Sequence, residues 1–296
     1  MIRVTVLGTS GASPTKTRSL TSVALSYDGN IFLFDCGEGT QMQVLKYGVN
    51  YSRIKAIFIS HIHGDHVIGI AGLVRTMALN GRKNPLYVFV PRGEEKVIST
   101  LVHFDKAVIT FDIVINGIGA GVQYRGKDFT VSSFRLSHTV PSLGYAFKVN
   151  DRRRFNETKC KKLGLEGEMF SILQKKGSMR LGRKTVRIES VTTVKPGEKI
   201  VYASDTRPCA STVSAAKGAN LLIHEATYAD TESKLARERG HSTAKAAADI
   251  AKRAKVGKLV LIHMSARYRD SAPIEAEARS VFKDTIVAQD GEDIFI

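Results

Sequence analysis

Apolar residues in this chain recur in short runs that end at glycine, polar or charged residues, a pattern typical of alternating strands and helices. Residues 2–7 alternate as an opening strand, and Asp28-Gly29 is a turn dipeptide that predicts a hairpin between runs 23–27 and 30–34. Further strands are predicted at 56–59, 86–90, 109–115, 129–135, 143–149, 199–203, 221–224, 258–262 and 286–296. One helix is predicted to end near residue 46. Further helices are predicted at 67–79, 94–102, 243–251 and 274–282. This alternation predicts a layered α/β fold.

Ligand-type side chains collect where the predicted strands stop. The strand at 56–59 runs into His61-Ile-His63-Gly-Asp65-His66, which places three of the eight histidines and one carboxylate within six residues. Later strands stop at His138, Asp205, Glu225 and His263. Because function in layered α/β folds collects at strand ends along one edge of the sheets, we expect these side chains to converge.

The residue types at these strand ends predict a catalytic centre with two cations. Imidazole and carboxylate are ligands of zinc-like cations, whereas a structural zinc site prefers cysteine and needs only four ligands. Two cations about 3.5–4 Å apart can generate hydroxide and clamp both oxygens of an in-line phosphoryl displacement. The predicted ligands are His61, His63 and His138 for one cation, Asp65, His66 and His263 for the other, and Asp205 as the bridge.

The composition of the chain indicates what kind of molecule it binds. The 296 residues are 43% hydrophobic and 24% charged, as in an ordinary globular protein, but the formal net charge is +16. Such an excess favours a polyanionic partner, nucleic acid before membrane. Residues 152–187 hold twelve Lys or Arg against three Glu, beginning with Arg152, Arg153 and Arg154. We interpret this segment as a protruding basic arm inserted into a single domain over 1–296.

Cysteine usage and hydropathy indicate a cellular compartment. Cys36, Cys160 and Cys209 are an odd, scattered set without a C-x-x-C pair, which favours free thiols in a reducing cytosol. No apolar run approaches the ~18 residues of a membrane span, and no signal peptide is evident at the first residues. We therefore expect a cytoplasmic protein without a membrane partner.

The metal-ligand pattern resembles a known superfamily. His61-x-His63-x-Asp65-His66 with His138, Asp205 and His263 resembles the metallo-β-lactamase superfamily, and within it the ribonuclease Z family of tRNA 3′-endonucleases. The supporting words are Gly8-Thr-Ser-Gly-Ala-Ser-Pro-Thr15, Asp35-Cys-Gly-Glu-Gly-Thr-Gln41, His224-Glu-Ala-Thr227 and His241-Ser-Thr-Ala244. The resemblance covers nearly the whole chain. It implies a four-layer αβ/βα sandwich, two Zn²⁺ per chain (Mn²⁺ or Fe²⁺ as alternatives), a homodimer and precursor tRNA as substrate.

The resemblance also implies roles for individual residues. Glu225 and His241 match the pair that supplies a proton to the leaving 3′ oxygen, and Asp65 matches the proton acceptor. Lys16 and Arg18 match a loop near the tRNA 3′ end, although Ser19 stands where an asparagine is usual. The basic segment occupies the place of the tRNA-gripping exosite and includes Arg152, Arg153 and Arg154, with Gly167-Glu168 where a Gly-Pro turn is usual.

Three functions stay open at this point. The leading one is a zinc-dependent phosphodiesterase that removes the 3′ trailer of precursor tRNA by metal-hydroxide attack and leaves a 3′-hydroxyl. A metallohydrolase of the same fold acting on small phosphodiesters, thioesters or lactones would leave the basic segment unexplained. A non-catalytic RNA-binding module with structural metal would leave Glu225 and His241 unexplained.

Overall fold

The computed structural model describes residues 1–105, 108–182 and 184–296, which form two compact units. The first unit joins Met1–Phe147 to Lys199–Ile296, and the second is Lys148–Glu198. The basic segment predicted at 152–187 lies inside the second unit. This unit extends beyond residue 187 because the strand Arg152–Phe155 pairs antiparallel with Thr192–Lys195.

Two large sheets build the first unit, each of seven strands within the described residues. The first sheet has the strand order Asp293–Phe295, Arg3–Gly8, Ser22–Tyr27, Asn30–Phe34, Ile54–Phe58, Leu86–Pro91 and Ile113–Ile118. The second has the order Thr285–Val287, Lys258–Ile262, Leu221–Glu225, Lys199–Ala203, Leu143–Val149, Phe129–Arg135 and Gly121–Arg125. A short parallel pair joins Ser10–Gly11 to Met264–Ser265.

The helices of the first unit cover the outer faces of these sheets. On the first sheet, Ile31 and Leu33 share a core with Leu73 and Val74 of the helix Gly69–Leu79. The second sheet is covered in the same way by Ala244–Ala254 and Ala272–Val281. The helices are Thr40–Lys46, Gly64–Val67, Gly69–Leu79, Glu95–Val102, Ala210–Ala216, Ser233–Arg239, Ala244–Ala254 and Ala272–Val281, with 3₁₀ turns at Tyr51–Arg53 and Asp230–Glu232.

Aromatic side chains fill the space between the two sheets. Phe34 of the first sheet stacks on Tyr202 of the second with ring centroids 5.4 Å apart, and Phe58 lies 5.3 Å from Tyr145. Along Asn30–Phe34, successive residues thus face the helices and the other sheet in turn, so nearly the whole strand is apolar. Helix, sheet, sheet and helix form the four-layer αβ/βα sandwich expected from the sequence.

The second unit has a small hydrophobic core of its own. Besides its strand pair, it contains the hairpin Ser178–Leu181 with Lys184–Arg187. Its helices are Glu157–Lys162, Glu168–Lys176 and Ile188–Val191, and its buried residues are Cys160, Leu165, Leu173, Val186 and Val191. Gly167 precedes the helix Glu168–Lys176 with a φ of 47°, a left-handed value that glycine adopts without strain.

Some predicted elements were displaced or missed. The strand predicted at 109–115 is found at Ile113–Ile118, after a segment in which the Thr110 hydroxyl bonds to the Arg82 carbonyl at 2.9 Å. The strand Gly121–Arg125 and the helices Ala210–Ala216 and Ser233–Arg239 were not predicted. These elements have only five to seven residues, so periodicity gives little signal for them.

Helix length bears on membrane insertion. The longest helices in the part of the chain that the structure describes, Gly69–Leu79 and Ala244–Ala254, have eleven residues each. A membrane-spanning helix needs about 20 apolar residues. No described helix has the length and apolarity to span a bilayer.

Candidate active site

The ligand-type side chains predicted at strand ends come together at one edge of the first unit. Among the described residues, three groups have nitrogen or carboxylate oxygen atoms that all lie within 4.8 Å of one another, and two of them together contain all the predicted ligands, whereas the third joins Asp205 and His263 to His241. Of the first two, one group is His61, His63, His138 and Asp205, and the other is Asp65, His66 and His263. All seven predicted ligands are therefore gathered in two neighbouring groups.

Asp205 lies between these groups with one carboxylate oxygen toward each. Its Oδ2 is 3.6 Å from His61 Nε2 and 3.8 Å from His138 Nε2. Its Oδ1 is 3.5 Å from His66 Nε2 and 3.1 Å from His263 Nε2. The side chain is 2% exposed and follows the strand Lys199–Ala203. A carboxylate in this arrangement can bridge two cations.

The remaining distances define each group. His63 Nδ1 lies 3.0 Å from His61 Nε2 and 3.4 Å from His138 Nε2. In the second group, Asp65 Oδ2 is 3.4 Å from the Nε2 atoms of both His66 and His263. Nitrogen and oxygen lone pairs thus face a common centre in both groups, as cation ligands do.

Hydrogen bonds orient the imidazoles so that these lone pairs point inward. His138 Nδ1 lies 2.8 Å from the Gly240 carbonyl, which accepts hydrogen bonds and cannot donate them. His263 Nδ1 lies 2.9 Å from Thr227 Oγ1, whose own proton goes to Glu225 Oε2 at 2.7 Å. In both histidines Nδ1 therefore carries the hydrogen and Nε2 is left as the ligand atom.

Asp35 orients histidines of residues 61–66, which we call the ligand loop. The sequence reasoning did not assign this role to Asp35. Its Oδ2 lies 2.8 Å from His66 Nδ1 and accepts hydrogen bonds from Tyr202 OH at 2.6 Å and Ser60 Oγ at 2.8 Å. Ser60 Oγ in turn lies 2.9 Å from His61 Nδ1. Asp35 is fully buried at a φ of 58°. Its signal in the sequence was a carboxylate directly after the apolar run 31–34.

Glu225 and His241 meet beside Asp205, although they are 16 residues apart. Glu225 Oε1 lies 3.0 Å from His241 Nδ1, and His241 Nδ1 lies 3.9 Å from Asp205 Oδ2. Glu225 is fully buried and accepts backbone N–H bonds from Thr206, Thr227 and Ser242, each at 3.0 Å. These donors fix the carboxylate, and the carboxylate fixes the imidazole.

The electrostatics of this pair favour a charged imidazole. Burial opposes a charge on His241, but the charge and hydrogen bond of Glu225, with Asp205, raise the pKa of His241 to about 9. Burial alone would raise the pKa of Glu225, but the charge and hydrogen bond of His241 lower it. Cations held beside the pair would reduce the pKa of His241 from this value, because like charges repel.

The pKa values of His61 and Asp205 favour the charge states in which these predicted ligands could bind a cation. Burial, reinforced by His66, holds the pKa of His61 well below its usual range. Burial would raise the pKa of Asp205, but the charges of His263, His66 and His61 hold it well below the usual range. Neighbouring protonated imidazoles thus stabilise the Asp205 carboxylate. A bound cation would supply this positive charge instead, and the imidazoles would release their protons on binding it.

The loop 9–19 closes one side of the second group. The backbone N–H of Ala12 donates to Asp65 Oδ2 at 2.7 Å. A Cβ placed on Gly11 would lie 2.4 Å from His263 Cε1, so the absence of a side chain lets the backbone pass over the imidazole. The small residues of this loop therefore place a backbone donor and a close contact against two predicted ligands.

Asp290 anchors this loop, and Arg18 takes part in the anchor. Asp290 accepts hydrogen bonds from Thr9 Oγ1 at 2.7 Å and from the Ser19 backbone N–H at 2.6 Å. The Arg18 guanidinium donates to Thr9 Oγ1 at 2.7 Å and to the Ala288 carbonyl at 2.8 Å. Burial lowers the pKa of Arg18. Arg18, predicted to contact RNA, thus bonds within the protein, whereas Lys16 is exposed.

The three predicted RNA-contacting arginines lie on the second unit. Arg152, Arg153 and Arg154 are exposed on the strand Arg152–Phe155. One terminal nitrogen of Arg153 lies 3.6 Å from a Glu189 carboxylate oxygen, in an exposed ion pair that contributes little to stability. A basic, accessible strand of this kind can contact phosphates.

Comparisons with known proteins identify the family. Residues 150–264 match a family model described as "Beta-lactamase superfamily domain", and residues 2–104 match one described as "Anti-Pycsar protein Apyc1". The chain is 43% identical to Ribonuclease Z of Gemmatimonas aurantiaca, over 98% of this chain and 95% of that protein. It is 41% identical to Ribonuclease Z of Methanosarcina acetivorans, over 98% and 96%.

A solved structure gives the same result. The crystal structure of human tRNase Z, short form, superposes with a TM-score of 0.72 at 28% identity and covers 99% of both chains. The metallo-β-lactamase fold expected from the ligand motif is therefore confirmed. With identities of this size over nearly its full length, the chain belongs to the ribonuclease Z family.

Proposed function

We propose that this chain is a metal-dependent endoribonuclease that removes the 3′ trailer from precursor tRNA and leaves a 3′-hydroxyl on the tRNA. The observation that carries the proposal is the buried Asp205, whose two oxygens face separate groups of imidazoles while His241 lies 3.9 Å away. A bridged pair of cation sites beside a proton donor is suited to phosphodiester cleavage. Family membership supports precursor tRNA as the substrate.

We propose two Zn²⁺ per chain, with Mn²⁺ or Fe²⁺ as alternatives that accept similar ligands. The donor set fits, because the Nδ1 atoms of His138 and His263 already have hydrogen-bond partners and their Nε2 lone pairs face the centre. When bound, such cations would neutralise phosphate charge and make a water molecule more acidic. The proposed ligands are His61, His63, His138 and Asp205 for one cation, and Asp65, His66, His263 and Asp205 for the other.

Asp65 is suited to accept the proton of the attacking water. Its side chain is 12% exposed, whereas those of His66 and Asp205 are nearly or fully buried, so it lies at the accessible side of the centre. The Ala12 backbone N–H holds its Oδ2 at 2.7 Å. Asp65 therefore has a fixed oxygen next to the position where water can enter.

His241 is suited to protonate the leaving oxygen. Its Nδ1 bonds to Glu225, so Nε2 carries the proton that can be given away. As the bond from phosphorus to the water oxygen forms, the bond to the 3′ oxygen breaks and that oxygen takes the proton from His241. The trailer keeps the phosphate, and the tRNA ends in a 3′-hydroxyl.

The second unit is suited to hold the body of the tRNA. The excess positive charge of residues 152–187 includes Arg152, Arg153 and Arg154, which are exposed on one strand. Phosphate contacts of this kind give affinity that falls steeply with salt and depends little on sequence. Lys16, exposed on the loop 9–19, supports a further phosphate contact near the metal centre.

The assembly and compartment belong to the same proposal. We expect a homodimer, as the family resemblance implies, and the helix Thr40–Lys46 exposes Met42 by 65% and Leu45 by 53%. Apolar side chains exposed together on one helix favour a protein interface. The three free cysteines support a reducing cytoplasm. Sedimentation of the wild type against a Met42→Lys/Leu45→Lys variant tests the dimer.

Cleavage of a defined precursor tests the proposed activity. The purified enzyme is incubated with precursor tRNA carrying a short 3′ trailer, and in parallel with bis(p-nitrophenyl) phosphate, a thioester and a lactone. We expect one cut directly after the last nucleotide of the tRNA body, a 3′-hydroxyl product, and loss of activity with a chelator. Efficient thioester or lactone turnover with uncut tRNA would instead assign the chain to the other metallohydrolases of this fold.

A further inference from the structure

A cavity of about 460 Å³ lies directly beside His241 in the first unit. Its size is in the range of pockets that hold small ligands. Residues from four segments of the chain form its wall. They include Ser137, Arg207, Pro208, Arg237, His241 and Ala246.

Arg207 gives this cavity a fixed positive group. Its Nε donates to the Arg237 carbonyl at 2.8 Å, and its backbone N–H donates to the Ser137 carbonyl at 2.7 Å. Neither of its terminal amino groups has a hydrogen-bond partner among the residues that the structure describes. The guanidinium is thus held by one edge while its outer edge remains available to an acceptor.

The rest of the wall suits a sugar or a base. Pro208, which is exposed, and Ala246, which is partly exposed, contribute apolar surface. Asp230, the acidic residue of the wall, is already paired, because its carboxylate receives Thr243 Oγ1 and Lys245 Nζ at 3.1 Å each. A ligand with a planar or ribose-like body and an anionic end therefore matches this cavity.

We infer that the cavity binds the nucleotide whose 3′ oxygen leaves, which is the last nucleotide of the tRNA body. The inference rests on the proposed function, in which His241 protonates that oxygen. The ribose carrying the oxygen must then contact His241, and the cavity is a recess that His241 itself lines. The base and sugar lie against Pro208 and Ala246, and Arg207 binds the phosphate on the 5′ side of this nucleotide.

Position-specific removal of phosphate charge tests this assignment. Steady-state cleavage is measured with an unmodified precursor, with one carrying a methylphosphonate at the phosphate 5′ of the last tRNA nucleotide, and with one carrying it one nucleotide further upstream. The enzymes are the wild type, Arg207→Ala, Arg207→Lys and the control Arg239→Ala. Arg239 is exposed on the same helix as Arg237 but does not line the cavity.

For the wild type, we expect kcat/KM to fall about 10–100-fold with the first methylphosphonate, as for a lost hydrogen bond to a charged group, and little with the second. Arg207→Ala should lose a similar factor on the unmodified precursor and nothing further with the first methylphosphonate. Arg207→Lys should retain part of the activity, and Arg239→Ala should behave as the wild type. A single cooperative thermal unfolding transition for Arg207→Ala would report that the variant is folded.

The possible failures are distinguishable. A wild-type enzyme that does not cut the precursor removes the proposed function and this inference with it. A wild type that cuts the precursor but is insensitive to the first methylphosphonate overturns the inference alone, and this measurement needs no variant. Losses from Arg207→Ala and the first methylphosphonate that multiply also overturn it, because they place the two changes in separate contacts.

Discussion

At the scale of single residues, the proposed chemistry depends on His241 and on Glu225, the carboxylate that holds it. The 3′ oxygen of a ribose is a poor leaving group, and protonation by a positioned acid typically contributes about 10²–10⁴-fold. We therefore predict that His241→Ala lowers kcat on precursor tRNA by about this factor. Metal content, measured by elemental analysis, should be unchanged, because His241 is not one of the seven proposed ligands.

The leaving group provides the control for His241. p-Nitrophenolate departs without a proton, so the deficit of His241→Ala should shrink on bis(p-nitrophenyl) phosphate. His103→Ala removes an exposed histidine whose Nδ1 bonds to the Ser99 carbonyl, and it should act as the wild type. Equal losses on both substrates would assign His241 to folding instead of proton transfer.

Asp35 provides a second prediction at this scale. Removing a group that orients a metal-ligating histidine typically costs 10–100-fold in metal affinity. Asp35→Asn keeps the size of the side chain but replaces one carboxylate oxygen by an NH₂ group. This group donates hydrogen bonds and would face other donors, among them Tyr202 OH. We predict weaker metal retention in a chelator titration and a lower midpoint of thermal unfolding. A variant with wild-type metal affinity would show that Asp35 does not orient His66.

The sequence identified the predicted metal ligands but not the residues whose hydrogen bonds orient them. His61, His63 and His66 are recognisable because imidazoles at such close spacing have few other uses. Asp35 and Thr227 look ordinary in the sequence, since their effect depends on which neighbour each oxygen faces after folding. Arg18 was assigned to RNA because its loop resembles the family's loop near the tRNA 3′ end; the sequence did not show that its guanidinium also bonds to Thr9 and Ala288.

At the scale of elements, the loop 9–19 must stay in place against Asp65 and His263. Asp290 holds its two ends through Thr9 and Ser19. Small misplacements near reacting groups can cost about 10²-fold in rate. We predict that Asp290→Ala lowers kcat on both precursor tRNA and bis(p-nitrophenyl) phosphate, since the loop serves the metal centre shared by both reactions.

A matched substitution checks the loop prediction. Asp284→Ala removes an exposed carboxylate from the same C-terminal region and should leave both activities intact. Loss of activity only on precursor tRNA would limit Asp290 to RNA binding. Wild-type rates on both substrates would show that the loop keeps its position without this anchor.

The bounds of strands and helices were predicted best for strands that are covered on both faces. The strands Leu143–Val149 and Lys258–Ile262 have the predicted bounds, because parallel or central strands with two covered faces read as continuous apolar runs. The strand Gly121–Arg125 lies at the end of its sheet and buries little, so its sequence lacks that signal. The helix Gly64–Val67 begins inside the ligand loop, which the sequence showed only as a break at glycine.

At the scale of the whole molecule, the second unit is compact and enters and leaves the chain at neighbouring positions. Its ends meet, since the Val149 backbone N–H bonds to the Glu198 carbonyl at 2.9 Å. We predict that replacing Lys148–Glu198 by a short glycine linker raises KM for precursor tRNA strongly and flattens the salt dependence of binding, because phosphate contacts are lost. Hydrolysis of bis(p-nitrophenyl) phosphate should largely survive.

The substrate comparison decides the role of this unit. A milder variant, with Arg152, Arg153 and Arg154 changed to alanine, should show the same direction of change with a smaller effect on KM. If deletion of the unit removes both activities equally, the unit contributes to the fold of the metal centre and not to a separate grip on tRNA.

The central claim is that two cations share Asp205. Elemental analysis of the purified protein, with activity measured on the same samples, tests it most directly. We predict two metal ions per chain in the active wild type, close to none in Asp205→Ala, and about one retained in His138→Ala, which removes a ligand of one group only. A fully active wild type with one metal ion per chain, or Asp205→Ala that keeps two, would contradict the bridged two-cation centre.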